Sequence, residues 1–373
     1  MNSLRLVGDD GEAYQWQPSG AVAPLPTRQF RSRIAYAAAH VVADLTDPHS
    51  LDWEATLSFR HHLWRFGFGV AEAMDTAQRG AGLDWHLARE LIVRTAREAA
   101  ASGGEAVYGV ATDQLPAQPA TLDRIRAAYL EQLEVVEQVG GTAIVMASRS
   151  LVGAARSSDD YLSVYQSVVD EASRPVLIHW LGEAFDPALA GYWGSADPWA
   201  AVEILLDLAR ANASRIDGIK ISLLDDKLEL SLRRRLPPGV RIYTGDDFNF
   251  MEMILGDDEG HSEALLGVLD PIAPVAAQAL VSLDEDDADG FRTWLAPTVP
   301  FSRHLFSAPT YNYKTGITFL AYLNGHQDHF RMLGSAELDR SLPHLCRLLV
   351  LADRASLLND PDLAVARMSP LIA

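Results

Sequence analysis

Lysine is scarce in this sequence, and one of its lysines stands where a charge is least expected. Among 373 residues only Lys220, Lys227 and Lys314 are lysines. Lys220 lies in Ile219-Lys220-Ile221, between two β-branched side chains, within a run (Ile216–Leu223) that reads as a buried strand. Burial disfavours an ammonium, lowers its pKa and frees the lone pair to attack a carbonyl carbon. The chemistry implied is imine formation, with the imine as electron sink for C–C cleavage, condensation or dehydration. A buried lysine can also serve only as half of an ion pair, and Asp246 is then a candidate partner. Lys227 opens a polar helical stretch and reads as solvated surface.

Other polar residues fall at the predicted ends of strands. They are His40, Asp44, Glu72, Asp75, Asp113, Gln114, Ser148, Arg149, His179, Glu183, Ser222, Asp246 and Asp247. The imidazole of His179 suits proton shuttling, because histidine titrates near neutrality. A hydrogen-bonded core histidine is the alternative. Glu72 and Asp75 suit binding of substrate hydroxyls or service as a base, against a plain salt bridge with Arg79. Arg149 suits an anionic substrate group, and Asp246 suits orienting Lys220 or shaping its loop. An acidic and aromatic mouth of Glu72, Asp75, Trp180, Glu183, Tyr192 and Trp193 points to a polyhydroxylated substrate. Tyr311 and Tyr313 read as packing residues.

A metal reading is diffuse. His40, Asp44, Glu72, His179 and Asp246 mix imidazole and carboxylate, as metal-dependent barrel isomerases do, but no H-E-x-x-H or C-x-x-C spacing occurs. His61 and His62 point about 100° apart on a helix and chelate poorly. No metal ligand is assigned. Cys346, the only cysteine, sits in an apolar stretch and allows no internal disulfide.

The elements that must position these groups alternate. Short apolar runs at Arg33–Val42, Gly69–Met74, Ala106–Ala111, Thr142–Ala147, Pro175–Trp180, Ile216–Leu223, Val240–Thr244 and Ala264–Leu269 predict strands. Helical periodicity follows each, as at Asp52–Arg65, Asp84–Ala101, Thr121–Val139 and Pro198–Ala211. Eight such units predict an α/β protein, a (β/α)8 TIM barrel. A doubly wound sheet competes, but no G-x-G-x-x-G follows the first strand. The expected division is a hairpin and linker (1–30), with strands Leu4–Val7 and Ala13–Trp16 capping a barrel end. The barrel (31–285) and a C-terminal helical region packed on it (286–373) follow.

The net charge of -19 and pI near 4.9 leave no basic footprint for nucleic acid or an anionic membrane. No membrane span or signal peptide is evident, so a cytoplasmic protein is expected.

Specific motifs then carry a resemblance. Ile216-Asp217-Gly218-Ile219-Lys220 resembles the strand-six signature of the dihydrodipicolinate synthase/N-acetylneuraminate lyase superfamily, whose lysine forms the imine. Tyr243-Thr244-Gly245-Asp246-Asp247, about 25 residues on, resembles its following strand. Ala308-Pro309 through Lys314, with Gly325 and Arg331, is similar to its C-terminal stretch, in which Lys314 is structural. The whole chain, including Phe59–Trp64 and Glu72–Gly80, resembles a branch described only as dihydrodipicolinate-synthase-like.

The resemblance implies a class I (Schiff-base) lyase or aldolase on a TIM barrel. It implies a small keto acid or keto-sugar substrate, no cofactor, and a homo-oligomer of two or four chains. Two departures qualify the substrate. Where typical members carry Gly-Thr-Thr-Gly-Glu to hold the carboxylate of pyruvate, this chain has Glu72-Ala73-Met74-Asp75-Thr76-Ala77-Gln78. Where they carry a proton-relaying tyrosine, it has His179. The alternatives are a metal-dependent sugar isomerase or epimerase, and a non-catalytic ligand-binding barrel.

Overall fold

A computed structural model describes residues 3–47, 49–116 and 119–372. The outer ends of the expected first and last segments, residues 1, 2 and 373, lie outside the described residues. Strands β1 (Leu4–Val7) and β2 (Ala13–Trp16) form an antiparallel hairpin. Eight parallel strands then close a barrel. They are β3 (Ala35–Ala38), β4 (Gly69–Glu72), β5 (Ala106–Val110), β6 (Thr142–Val145), β7 (Val176–Leu181), β8 (Ile216–Ser222), β9 (Arg241–Thr244) and β10 (Glu263–Leu266), with β10 pairing back onto β3. The expected TIM barrel is present.

Local chemistry explains the helices. Asp52, Asp84 and Asp225 cap helices at Trp53–Arg65, Trp85–Ser102 and Asp226–Arg235, each accepting a hydrogen bond from a backbone N–H of the first turn. Part of the acidic excess is therefore spent on helix ends. Phe59, Leu63 and Trp64 form the buried stripe of the first of these helices.

The barrel interior is filled from below. Tyr36 of β3 and Tyr243 of β9 sit with ring centres 6.1 Å apart at its floor. Glycines make room for them. A Cβ on Gly69 would lie 2.4 Å from the Tyr36 ring, and one on Gly218 would lie 2.5 Å from that of Tyr243. Ala38, Ala71, Val107, Ile144, Leu177 and Leu265 fill the interior together with these rings.

Two expectations change. The first barrel strand is four residues long rather than ten, because the backbone N–H and Nδ1 of His40 are both held at 2.8 Å by Asp270 Oδ2. Strand β1 of the hairpin packs against helix Leu342–Arg354 of the C-terminal region, and in the linker that follows Ser19 Oγ donates to Asp353 at 2.8 Å. Helices at Arg149–Ala154, Thr298–Leu305 and Pro361–Met368 were not anticipated. The first is only six residues long and the second carries Pro300, so neither shows a clear apolar period. No helix of the described residues is long and apolar enough to cross a membrane.

Candidate active site

Side chains alternate across a strand, so one interior residue fixes the facing of the rest. Leu177 faces the barrel interior, so His179, two residues on, does too. Lys220 is its partner on β8, and Tyr243 of β9 is the partner of Lys220 on the other side. Lys220 thus rises inside the barrel above the tyrosine floor, only 4% exposed. Gly245 gives it passage, since a Cβ there would meet Lys220 Cε at 2.9 Å and Ser222 Oγ at 2.2 Å.

Burial lowers the pKa of the Lys220 amine, and the charges of Asp75 and Asp247 only partly offset this. Asp246 is not among the groups that act on it. The Asp246 carboxylate accepts from the backbone of Phe248 at 2.9 Å, the backbone of Asn249 at 3.0 Å and Asn249 Nδ2 at 2.8 Å. It shapes the loop, and its neighbour Asp247 faces the lysine. Asp247 is buried, which pushes its carboxyl up to about 8, so at neutral pH it holds a proton.

Asp75 has the opposite state. Burial alone would raise its carboxyl, but the charge of Lys220 first, then that of Lys314, and a hydrogen bond from Tyr313 hold it below the ordinary range. Tyr313 donates to Asp75 Oδ2 at 2.6 Å, and its hydroxyl lies 2.8 Å from Thr76 Oγ1. The other oxygen, Oδ1, is shielded from solvent and has no partner.

His179 is fully buried, with Nε2 3.3 Å from Ser222 Oγ and Nδ1 without a partner. Burial, and then the charge of Lys220, hold it well below its ordinary pKa. The expected near-neutral titration is therefore not what this site provides. The imidazole stays neutral and offers one donor and one acceptor.

A cleft of about 870 Å³ opens beside this group, lined among others by Asp75, Gln78, Ser148, Phe185, Tyr311 and Lys314. Arg149 reaches its rim, 59% exposed, with Nε 2.6 Å from Asp186. Lys314 donates to the Tyr311 carbonyl at 3.0 Å, and burial lowers its pKa.

Several expected residues are not brought to the cleft. Ala71 faces the interior, so Glu72 faces outward. There it is fully buried against Arg60, with two contacts at 2.9 Å, and Thr95 at 2.7 Å. Arg79 pairs with Asp113 instead, and also holds the carbonyls of Ala73 and Gly109. Trp180 and Trp193 are core, and Tyr192 hydrogen-bonds Tyr165 and the Ser148 backbone. Glu183 is exposed. The aromatic sugar platform is therefore absent at these positions. The proposed metal donors are likewise dispersed. Among the described residues no group of three His, Cys, Asp or Glu side chains is placed to hold a metal.

Reading the sequence missed Tyr313, which had seemed mere packing, and the part of Asp247. The Asp246-Asp247 doublet was a signal for the second. Nothing local signals the first, because its helix lies outside the barrel.

The fold is that of the dihydrodipicolinate synthases. The chain superimposes on a dihydrodipicolinate synthase family protein of Escherichia coli K12, solved in complex with pyruvate, with a TM-score of 0.68 at 15% identity. That match covers 87% of this chain and 99% of the other. The Aquifex aeolicus dihydrodipicolinate synthase gives 0.67 at 13% identity, covering 87% and 99%. The Acinetobacter baumannii enzyme, complexed with pyruvate, gives 0.66 at 13%, covering 88% and 100%. No curated protein matches the sequence. Residues 4–373 match a protein family of unknown function, DUF993, and the chain belongs to that family.

Proposed function

We propose that the protein is a Schiff-base-forming lyase or aldolase acting on a keto acid or keto-sugar derivative, with Lys220 forming the imine. The observation that carries this reading is a buried lysine inside the barrel, paired across strands with His179 and Tyr243, whose pKa burial lowers and on which the carboxyl groups of Asp75 and Asp247 both act.

The free amine of Lys220 attacks the substrate carbonyl carbon and gives a carbinolamine. Protonated Asp247 supplies the proton with which the carbinolamine hydroxyl leaves as water. The resulting iminium is a cation, and ionised Asp75 is its counter-charge. Electrons from the breaking bond, C–C in cleavage or C–H in dehydration, flow into the iminium. Thr76, Tyr313 and Asp75 form a connected hydrogen-bonded chain along which a proton can leave a substrate hydroxyl. His179 stays neutral and hydrogen-bonds the substrate oxygen. In cleavage the enamine so formed takes back at carbon the proton held by the Thr76–Tyr313–Asp75 chain and becomes the iminium again; water then hydrolyses the iminium and restores Lys220. The resemblance to the superfamily supports a homo-oligomer as the working form.

The test is borohydride trapping with pyruvate, 2-keto-3-deoxy sugar acids and 3-keto-sugars. A reduced adduct on the Lys220 peptide, absent in Lys220→Ala, is expected. An adduct elsewhere, or none with any carbonyl compound, overturns the reading.

A further inference from the structure

We infer that the substrate carbonyl is flanked by a hydroxyl-bearing carbon and not by a carboxylate, so that Lys220 acts on hydroxyketones in preference to 2-keto acids. This rests on the imine reading above and narrows it to one substrate class.

The argument begins with Asp75 Oδ1. It belongs to an ionised carboxylate that lines the cleft and acts electrically on Lys220. Its sister oxygen Oδ2 is occupied by the Tyr313 phenol at 2.6 Å. Oδ1 is shielded from solvent and has no hydrogen-bond partner. An ionised carboxylate accepts and never donates, and a shielded acceptor left open is costly. Beside Lys220 the group that satisfies it must carry an O–H or N–H. A hydroxyl near the substrate carbonyl does this. A carboxylate in the same place would bring two negative charges together with no proton between them.

The cations of the cleft do not reverse this. Arg79 is matched by Asp113, and Arg149 by Asp186. Lys314 is turned to the Tyr311 carbonyl and lies in the field of Asp75 and Asp186. The neutral His179 Nδ1 is a second buried polar atom without a partner, and it brings no positive charge that would favour a carboxylate.

Hydroxyacetone and pyruvate give a clean comparison, because they differ only in CH2OH against COO⁻ next to the same methyl ketone. The purified full-length protein is reduced with borohydride in the presence of each, and adduct on the Lys220 peptide is measured by mass spectrometry. Hydroxyacetone is expected to label at least about tenfold more efficiently than pyruvate at equal concentration. In Asp75→Asn, hydroxyacetone labelling is expected to fall and pyruvate labelling to rise, so that the ratio collapses. The wild-type ratio decides the question even if that variant fails to fold. Equal or preferential labelling by pyruvate overturns this inference and leaves the imine reading standing. No labelling by either compound also overturns this inference, and the imine reading falls with it only if the 2-keto-3-deoxy sugar acids and 3-keto-sugars leave Lys220 unlabelled as well.

Discussion

The phenol of Tyr313 donates to Asp75 Oδ2 at 2.6 Å, joining residues 238 positions apart. The bond ties a helix beyond the barrel to a carboxylate that acts on Lys220. Tyr313 is fully buried and stacks on Phe306 with ring centres 4.5 Å apart, so its hydroxyl is held in place by packing. Tyr313→Phe removes the hydroxyl and little volume. Turnover is expected to fall about 10²-fold or more, as for loss of a proton-transfer group. Borohydride labelling of Lys220 should persist, and stability should drop by only about 1 kcal/mol. Equal loss of labelling and turnover would assign the phenol to folding alone.

The Lys220 amine and the Asp247 carboxyl together set a pH profile. Lys220 has a lowered pKa, so its free-amine fraction rises with pH and reaches half below the ordinary lysine value of 10.5. Asp247 loses its proton as pH passes about 8, and with it the acid that expels water from the carbinolamine. Imine formation should therefore climb through neutrality and decline above about 8. Asp247→Asn should flatten the alkaline limb and slow imine formation roughly 10²-fold, measured as trapping rate against pH.

Glu72 and Arg60 are both fully buried and bonded to each other. Removing one partner strands a buried charge. Glu72→Ala is expected to cost about 3–5 kcal/mol in denaturant unfolding. In whatever fraction stays folded, KM should be unchanged. A raised KM in a stable Glu72→Ala protein would restore it as a substrate ligand.

Glu229 offers a stability test away from the cleft. It accepts from Ser262 Oγ at 2.7 Å and Thr244 Oγ1 at 3.0 Å, and burial raises its carboxyl to about 8 from 4.5. The folded state therefore keeps a proton that the unfolded chain loses. Between pH 4.5 and 8 unfolding releases that proton, so stability falls as pH rises and levels off above about 8. Glu229→Gln mimics the protonated form. Its Tm should overtake that of the wild type as pH rises across this window, by an amount equivalent to about 2 kcal/mol or more. Parallel Tm curves would refute the assignment.

The fold was legible because apolar runs and helical periods alternate so regularly, and because caps such as Asp52 and Asp225 mark helix starts. Lys220 was legible because lysine between isoleucines has few explanations. Glu72 was misplaced because a strand pattern buried on both faces does not say which parity looks inward. That is decided by which residues meet Tyr36 and Tyr243 across the barrel. Of the two parts open to Asp246, orienting Lys220 or shaping its loop, the structure shows the second, and only the loop geometry that turns it onto Asn249 leaves Asp247 as the acid acting on the lysine. Tyr313 was out of reach, since its partner is fixed only when the C-terminal helices fold back over the mouth.

The tyrosine floor makes the reaction chamber a blind well. Tyr36 and Tyr243 fill that end of the barrel, so among the described residues the way to Lys220 is from the opposite end, where the cleft beside Asp75 lies. In a cleavage reaction the untethered fragment must clear that cleft while the other half remains covalently moored to the lysine. The covalent tether would then set an order: the free fragment can leave at once, and the moored one only after hydrolysis.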